Sequence, residues 1–493
     1  MITSIKKSNI HFGILSGLFT GAVSLSFLTE NYFLIILPFA VLFFYAGWQN
    51  KEVAFYLLLF TLPFSFEYHF SPALATDIPD EALMLLVTFI FFAYWLYYPA
   101  ALTRKTLTHP LLILLVFGFV WMLIAVIFST YPLISLKFLL AKTWYMGAFV
   151  LAPLLLFKRK EMIAAASVVL TAAMMLVAVI TLLRHEEHGF SFATINDVVF
   201  PFFRNHVNYS AMLVCVIPVL FAFFGLACKT KQKLAIVFFI IVALVALFFS
   251  YSRGAWLALL TGIPSYWLIK KKLIVAAYIA TVVFLIAALF WLKENDRYLK
   301  YAPDFNTTIF HKDFREHLVA TYTLKDVSTE ERFYRWIAGV RMIKDNWLTG
   351  YGPNTFYDNY KRYAVPAFKT WVSDNKDHST VHNYFLITAI GQGIPGVLLL
   401  LILLGAMLWY SQKLYHRIKE PFYKTAALTT GVIVIMVIVV NFLSDLIETD
   451  KIGSIFFLCL AVLIVTDTST NPLKSGNQNN LGLDPSPDIQ GIS

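Results

Sequence analysis

Residues 233–269 read KLAIVFFIIVALVALFFSYSRGAWLALLTGIPSYWLI. Two strongly apolar runs meet there at a tight turn, S-Y-S-R-G-A-W, which carries Arg253. A hydrocarbon core of ~30 Å takes about 20 mostly apolar residues to cross as a helix, so both runs are candidate membrane spans. An arginine between them is costly, roughly 2.5–3.5 kcal/mol near the bilayer centre and less at the interface. Arg253 therefore has two readings. It is an interfacial side chain that snorkels and sets helix depth, or it holds something.

The remainder of the chain repeats the pattern. Of 493 residues, 59% are hydrophobic and only 14% charged, with a mean hydropathy of +0.70. A soluble protein would be about a quarter charged. The expectation is an all-α polytopic membrane protein. Candidate spans fall near 10–29, 32–49, 53–67, 80–98, 110–128, 133–156, 162–183, 209–227, 233–250, 255–269, 273–292, 383–410, 425–443 and 453–467. That is about fourteen transmembrane helices (12–14), because 53–67 and 255–269 also fit partial or re-entrant segments. The lysine before the first run and its small residues read as an uncleaved signal anchor. Cys215, Cys228 and Cys459 lie in or beside apolar runs and read as buried thiols, not a disulfide framework.

Charge placement sets the orientation. With a cytoplasmic N-terminus, the inner loops hold Lys6 and Lys7, Lys51, Arg104 and Lys105, Lys158 to Lys160, Lys229 to Lys233, Lys270 to Lys272, and Lys413 to Lys424. The outer loops hold almost no lysine, and EYHFSPALATDIPDE is acidic. The net charge of +10 thus sits at cytoplasmic membrane edges and does not imply nucleic acid. The expected organisation is N-terminal transmembrane helices over 1–292, a large periplasmic loop over 293–382, C-terminal helices over 383–467, and a disordered cytoplasmic tail over 468–493. No internal repeat is visible, which weakens transporter folds built on repeated halves.

Against this background, single arginines on the lysine-poor face stand out: Arg184, Arg204 and Arg253, then a denser set in the large loop. Arginine offers a planar fork suited to phosphate. In the loop, Phe333, Trp336, Ile337, Val340 and Ile343 recur at helical spacing, predicting an amphipathic helix over 330–345. Its Arg332 and Arg335 lie three apart, and Arg341 reads as solvated. LTGYGPN then stops the helix. His378 and His382 are spaced i, i+4, with Asp374 and Asp377 nearby. A zinc site is not expected, since Ser379 stands where H-E-x-x-H needs Glu and the loop holds no cysteine. His382, beside Asn383 at the re-entry into the membrane, is either a helix-capping residue or a general base. GQGIPG at the start of the next span reads as a site of close helix approach. Lys137 and Lys142, inside the sixth span, either line a path or snorkel.

Four stretches carry a family resemblance: FFRNHVNYSAML (202–213), FFSYSRGAWLALL (248–260), RFYRWIAGVRMIKDNWLTGYGPNTF (332–356) and HNYFLITAIGQGIPG (382–396). Together they resemble the O-antigen ligase/polymerase superfamily of bacterial envelope glycosyltransferases, over about residues 200–400. The first seven spans are similar only in hydropathy. The resemblance implies a GT-C-like fold in the bacterial inner membrane, both termini cytoplasmic and the active site periplasmic. It implies a donor glycan on a polyprenyl (undecaprenyl) diphosphate carrier and an acceptor hydroxyl on lipid A-core, on another glycan (a polymerase) or on a protein (an O-oligosaccharyltransferase). No cofactor, metal or nucleic acid is implied. By resemblance, Arg253 and Arg332 bind the diphosphate and His382 activates the acceptor. Arg204, His206, Asn208, Arg335, His378 and Asn383 are further candidate substrate contacts. The sequence departs from the family's pattern at Trp347, where proline is common, and at Gly391, where many members carry Glu. A lipid-linked glycan flippase is the reading from another class.

Overall fold

The structure, a computed structural model, describes residues 36–71, 74–295, 327–364 and 380–471, with a few isolated positions beside them. We number the helices longer than ten residues. The first half holds α1 (Ile36–Gln49), α2 (Lys51–Thr61), α3 (Asp80–Tyr97), α4 (Pro110–Ile127), α5 (Pro132–Leu156), α6 (Lys160–Glu187) and α7 (His206–Leu226). Then come α8 (Thr230–Phe249), α9 (Arg253–Lys270), α10 (Ile274–Lys293), α11 (Val327–Asp345), α12 (Tyr384–Arg417), α13 (Pro421–Phe442) and α14 (Asp450–Thr470).

Ten of these are long and apolar enough to cross a membrane: α3 to α8, α10, and α12 to α14. The protein is therefore an all-α polytopic membrane protein. Three expected spans form shorter or more polar helices. Those near 32–49 and 53–67 become α1, with 14 residues, and α2, with 11. The span near 255–269 becomes α9, whose 18 residues include Arg253, Lys270 and Pro264. The candidate span 10–29 and the tail beyond Asn471 lie outside the described residues.

Local chemistry explains where the helices start. Pro110, Pro132 and Pro421 occupy first helical positions, where a missing N–H costs nothing. Asn205 caps α7 by accepting from the N–H groups of Val207 and Asn208. The acidic segment expected as an outer loop is not irregular. Phe66–Ser71 (β1) and Leu74–Ile78 (β2) pair antiparallel, with Phe66 opposite Ile78 and Tyr68 opposite Thr76.

Helix α14 is buried along most of its length, packed by α5, α7, α12 and α13. Around it, α10 and α8 expose apolar surface such as Phe284, Phe290 and Phe238, which suits lipid contact. The two ends differ in chemistry. At one end, Asp467 accepts from Arg417 (Oδ1 to Nη1, 2.6 Å) and pairs with His109 (Oδ2 to Nε2, 3.1 Å). Lys105 donates to the carbonyls of Thr468 and Asn471, and Lys160 meets Glu420 at 3.0 Å. At the other end lie the hairpin, α11, and the turn 443–449 between α13 and α14.

Helix α11 forms beyond the expected 330–345, but its buried face is rotated from the expected one. Val340 is 53% exposed, while Tyr334, Ala338 and Met342 are buried. The small residues decide this. Gly339 lets α11 sit directly on α12, where a Cβ would meet Ile390 Cδ1 at 2.9 Å. With Phe356, Tyr360, Val381, Ile387 and Ile390, Ala338 and Met342 build a small second core. Arg341 is exposed, as expected for a solvated charge.

The glycine-rich stretches after α11 and inside α12 lock together through backbone. Gly393 takes φ +67° and breaks α12 into two pieces across a kink, freeing the carbonyls of Ile390 and Gly391. These accept from the N–H groups of Tyr351 (2.8 Å) and Gly352 (3.0 Å), and Ile394 N–H donates to Trp347 O (2.7 Å). GQGIPG thus permits close approach of a loop to a helix, and also faces α4, where Trp121 Nε1 donates to Gln392 O at 2.8 Å and a Cβ at Gly396 would lie 3.5 Å from the Trp121 ring. A Cβ at Gly391 would crowd the Pro353 backbone at 3.1 Å, so a glutamate there does not fit this arrangement.

Candidate functional site

At the end that carries α11, a cavity of about 360 Å³ opens between the first turns of α7 and α9 and the last turn of α13. Arg253, at the N-terminus of α9, and Arg332, on α11, both line it. They lie 79 residues apart in sequence and on different elements, yet face one space. Ser252, Gly254 and Ala255 keep the Arg253 side of the cavity small. Gly254 itself is not crowded by protein, since a Cβ would meet only Leu443 Cδ1 at 3.7 Å. His206 joins the lining from the first turn of α7, with Nδ1 2.8 Å from Asn196 Oδ1.

His382 does not line the cavity but lies within the electrostatic reach of Arg332. Its backbone takes φ +51°, a left-handed conformation uncommon for a non-glycine residue. The cap of α12 is not His382 but Asn383, whose Oδ1 accepts from Leu386 N–H and whose Nδ2 donates to Phe442 O, both at 2.9 Å. Tyr384 N–H donates to Ser444 O at 2.9 Å, tying this start to the end of α13. His382 is therefore released from capping, and 38% of its side chain is exposed. Its Nδ1 lies 3.9 Å from Asp445 Oδ1. Arg335 is buried and donates from Nη1 to Thr380 O at 2.6 Å, which holds the strand of chain leading to His382.

Electrostatics here favour the neutral imidazole. Desolvation, then the charges of Arg335 and Arg332, push His382 down from 6.5 to about 3. Burial pulls the Asp445 carboxyl upward, against the opposing pull of Thr380 and the two arginines. Arg332 therefore belongs to both groups: it lines the cavity and it acts on His382.

Asp445 was not legible as a site residue. An acid in the short segment N-F-L-S-D between two spans is unremarkable in sequence, and only its approach to His382 distinguishes it. Lys142 now has an assignment. It is buried and donates to the carbonyls of Ile447 and Glu448 (3.2 Å each), anchoring the turn that carries Asp445. Lys137 is exposed on α5. Of the other candidates, Arg204 is exposed and Asn208 half-buried, and neither lines the cavity. Arg184 donates to Phe200 O at 3.0 Å, away from it. His378 lies outside the described residues.

The helices that frame the polar cavity frame a second space. An apolar groove of about 590 Å³ runs between the far halves of α7 and α9 and the near half of α13, lined by Phe221, Leu259, Ile263, Trp267, Val432 and Met436. At 1.5 Å per residue, Leu259 to Trp267 lie roughly 10–20 Å along α9 from Arg253, within the membrane thickness.

Fold and site define a polytopic membrane protein with an arginine-lined polar cavity at one end, above an apolar groove. Residues 238–401 match a protein family model described as O-Antigen ligase, a range that includes Arg253, Arg332, Arg335, His382 and Asn383. The O-antigen ligase of Salmonella typhimurium is 26% identical over 219 residues, which is 43% of this chain and 49% of that protein. The chain thus spans about half the length of the curated relative it matches. Both findings support the O-antigen ligase superfamily, the one the four motifs resemble.

Proposed function

We propose that the protein is an inverting, metal-independent glycosyltransferase. It moves a glycan from a polyprenyl diphosphate carrier to an acceptor hydroxyl, in O-antigen ligation to lipid A-core at the periplasmic face of the inner membrane. The observation that carries this reading is the convergence of Arg253 and Arg332, from separate helices, on one cavity, with the second of these arginines also close enough to His382 to act on its imidazole.

The chemistry follows from the donor. Its anomeric carbon is already bonded to a good leaving group. As the acceptor oxygen attacks from the opposite face, the bond from C1 to the phosphate oxygen breaks and the diphosphate takes the electron pair. Two guanidinium forks stabilise that growing charge with charge-assisted hydrogen bonds. His382 takes the acceptor proton. Its Nδ1 faces Asp445, which leaves Nε2 for the proton, and Asp445 favours the imidazolium as it forms. An imidazole held near 3, chiefly by desolvation, is a weak base, and a diphosphate on Arg332 cancels only that arginine's share of the shift. Donor binding therefore prepares the base in part. The apolar groove along α7, α9 and α13 suits the polyprenyl tail, with the diphosphate above it at Arg253.

The test uses purified protein, a labelled polyprenyl diphosphate-linked glycan and lipid A-core in detergent. Transfer with release of polyprenyl diphosphate, unchanged by a metal chelator and lost in R253A, R332A and H382A, is expected. Wild-type rates in all three variants would sink the reading. Chains extended on the carrier instead of on lipid A-core would indicate a polymerase, and glycosylated protein an oligosaccharyltransferase.

A further inference from the structure

The cavity that holds Arg253 and Arg332 also has an aromatic side. Phe192, Tyr251 and His206 line it with the arginines. We propose that Phe192 and Tyr251 form the wall against which the first sugar of the donor, the one bonded to the diphosphate, stacks. This rests on the donor proposed above.

Backbone strain is the first support. Tyr251 takes φ +55° and Phe190 φ +54°. For bulky aromatic residues such values are outliers, and they persist only where the surroundings over-determine them. A glycine would make the turn between α8 and α9 at lower cost, so something other than the turn retains a tyrosine. The surroundings are a box of rings. Tyr251 donates its hydroxyl to Phe190 O at 2.5 Å, and the Phe190 ring stacks on Phe249 with centroids 4.2 Å apart. His185 meets Phe190 edge-on at 5.3 Å, and Phe192 meets Tyr251 edge-on at 5.5 Å. These contacts fix two rings at the cavity next to a guanidinium.

Ligand chemistry is the second. A pyranose presents an apolar C–H face to an aromatic ring and hydroxyls at its edge. A cavity with guanidiniums beside aromatic rings matches an anion bonded directly to such a sugar. The competing occupant is the first isoprene of the carrier. The apolar groove at the other end of α7 and α9 already provides for the tail, which leaves the polar cavity to the sugar.

The experiment compares two ligands of the full-length protein: the glycan-bearing carrier as donor, and sugar-free polyprenyl diphosphate as competitive inhibitor. F192L keeps an apolar side chain without a ring. It should raise KM for the donor roughly three- to tenfold, the worth of one aromatic contact, and leave the inhibition constant unchanged. The unchanged inhibition also reports a folded site. F192W, which restores a ring, should return KM towards the wild-type value. The proposal is overturned if KM and the inhibition constant rise together, which would place the isoprene at the wall, or if neither moves. Failure of the wild-type protein to bind polyprenyl diphosphate would overturn the donor reading itself, and this proposal with it.

Discussion

His382 joins a left-handed backbone to a depressed pKa, and both have consequences that can be measured. Between pH 6.5 and about 3 the folded protein binds fewer protons at this imidazole than the unfolded chain does. Its contribution to stability is complete above about pH 6.5 and is lost as the pH falls towards 3. Kinetics should separate the free and donor-bound states. The profile of kcat/KM reports the free enzyme and should show no acid limb from His382 above about pH 4, whereas kcat should lose activity on the acid side at a higher pH, because the diphosphate offsets Arg332. Coincident acid limbs would show that donor binding does not act on the imidazole. If His382 is the base, as proposed, His382→Ala should lower kcat by about 10²–10⁴-fold. At Arg253, lysine keeps the charge but not the fork, so R253K should retain only part of the wild-type rate. Arg253, Arg332 and His382 stood out in the sequence as arginines on a lysine-poor face and a histidine at a membrane boundary, but placement left their roles open and the family resemblance supplied them. Asp445 departs from nothing local. Its signal is a contact made across 63 residues.

At the scale of elements, the junction of 347–352 with the broken helix α12 sets where α11, and so Arg332, stands. Gly350 and Gly393 both hold positive φ, and a Cβ at Gly350 would meet Ile390 O at 2.5 Å. Gly393→Ala should destabilise the protein by roughly 1–3 kcal/mol and lower its unfolding temperature in detergent, with a larger loss of transfer than R341A, which changes a solvated charge. Equal activity in both would show that this junction does not position the site. Periodicity located α11 but misplaced its buried face, because it weighs apolar side chains and takes no account of how closely two backbones can approach. Ala338 and Gly339 won the interface by being small. The hairpin had a signal of its own. F-E-Y-H-F-S alternates aromatic with polar residues, a period of two inside a segment read only as a loop.

For the whole molecule, the polar cavity and the apolar groove share α7, α9 and α13. Leu259→Trp should fill part of the groove, raising KM for long-chain donors while leaving a short-chain polyprenyl donor nearly unaffected. An equal effect on both donors would separate the groove from the tail. The ion-paired end around Asp467 and the cavity end around Arg332 lie at opposite ends of α14, so the uneven distribution of charge read along the chain corresponds to a real polarity of the bundle.

The sequence by itself determined that the chain is a helical membrane protein, where its ten long apolar helices lie, and which unusual arginines and histidine to look at. Membrane insertion is governed by composition over about 20 residues at a time, and that information is local. Only the tertiary structure decided that Arg253 and Arg332 share a cavity, that Asn383 and not His382 caps α12, and that Asp445 and two strained aromatic residues belong to the same end. Those facts depend on which helices pack together. In a lipid-facing protein that choice rests on small residues and freed backbone groups, which leave little trace in hydropathy.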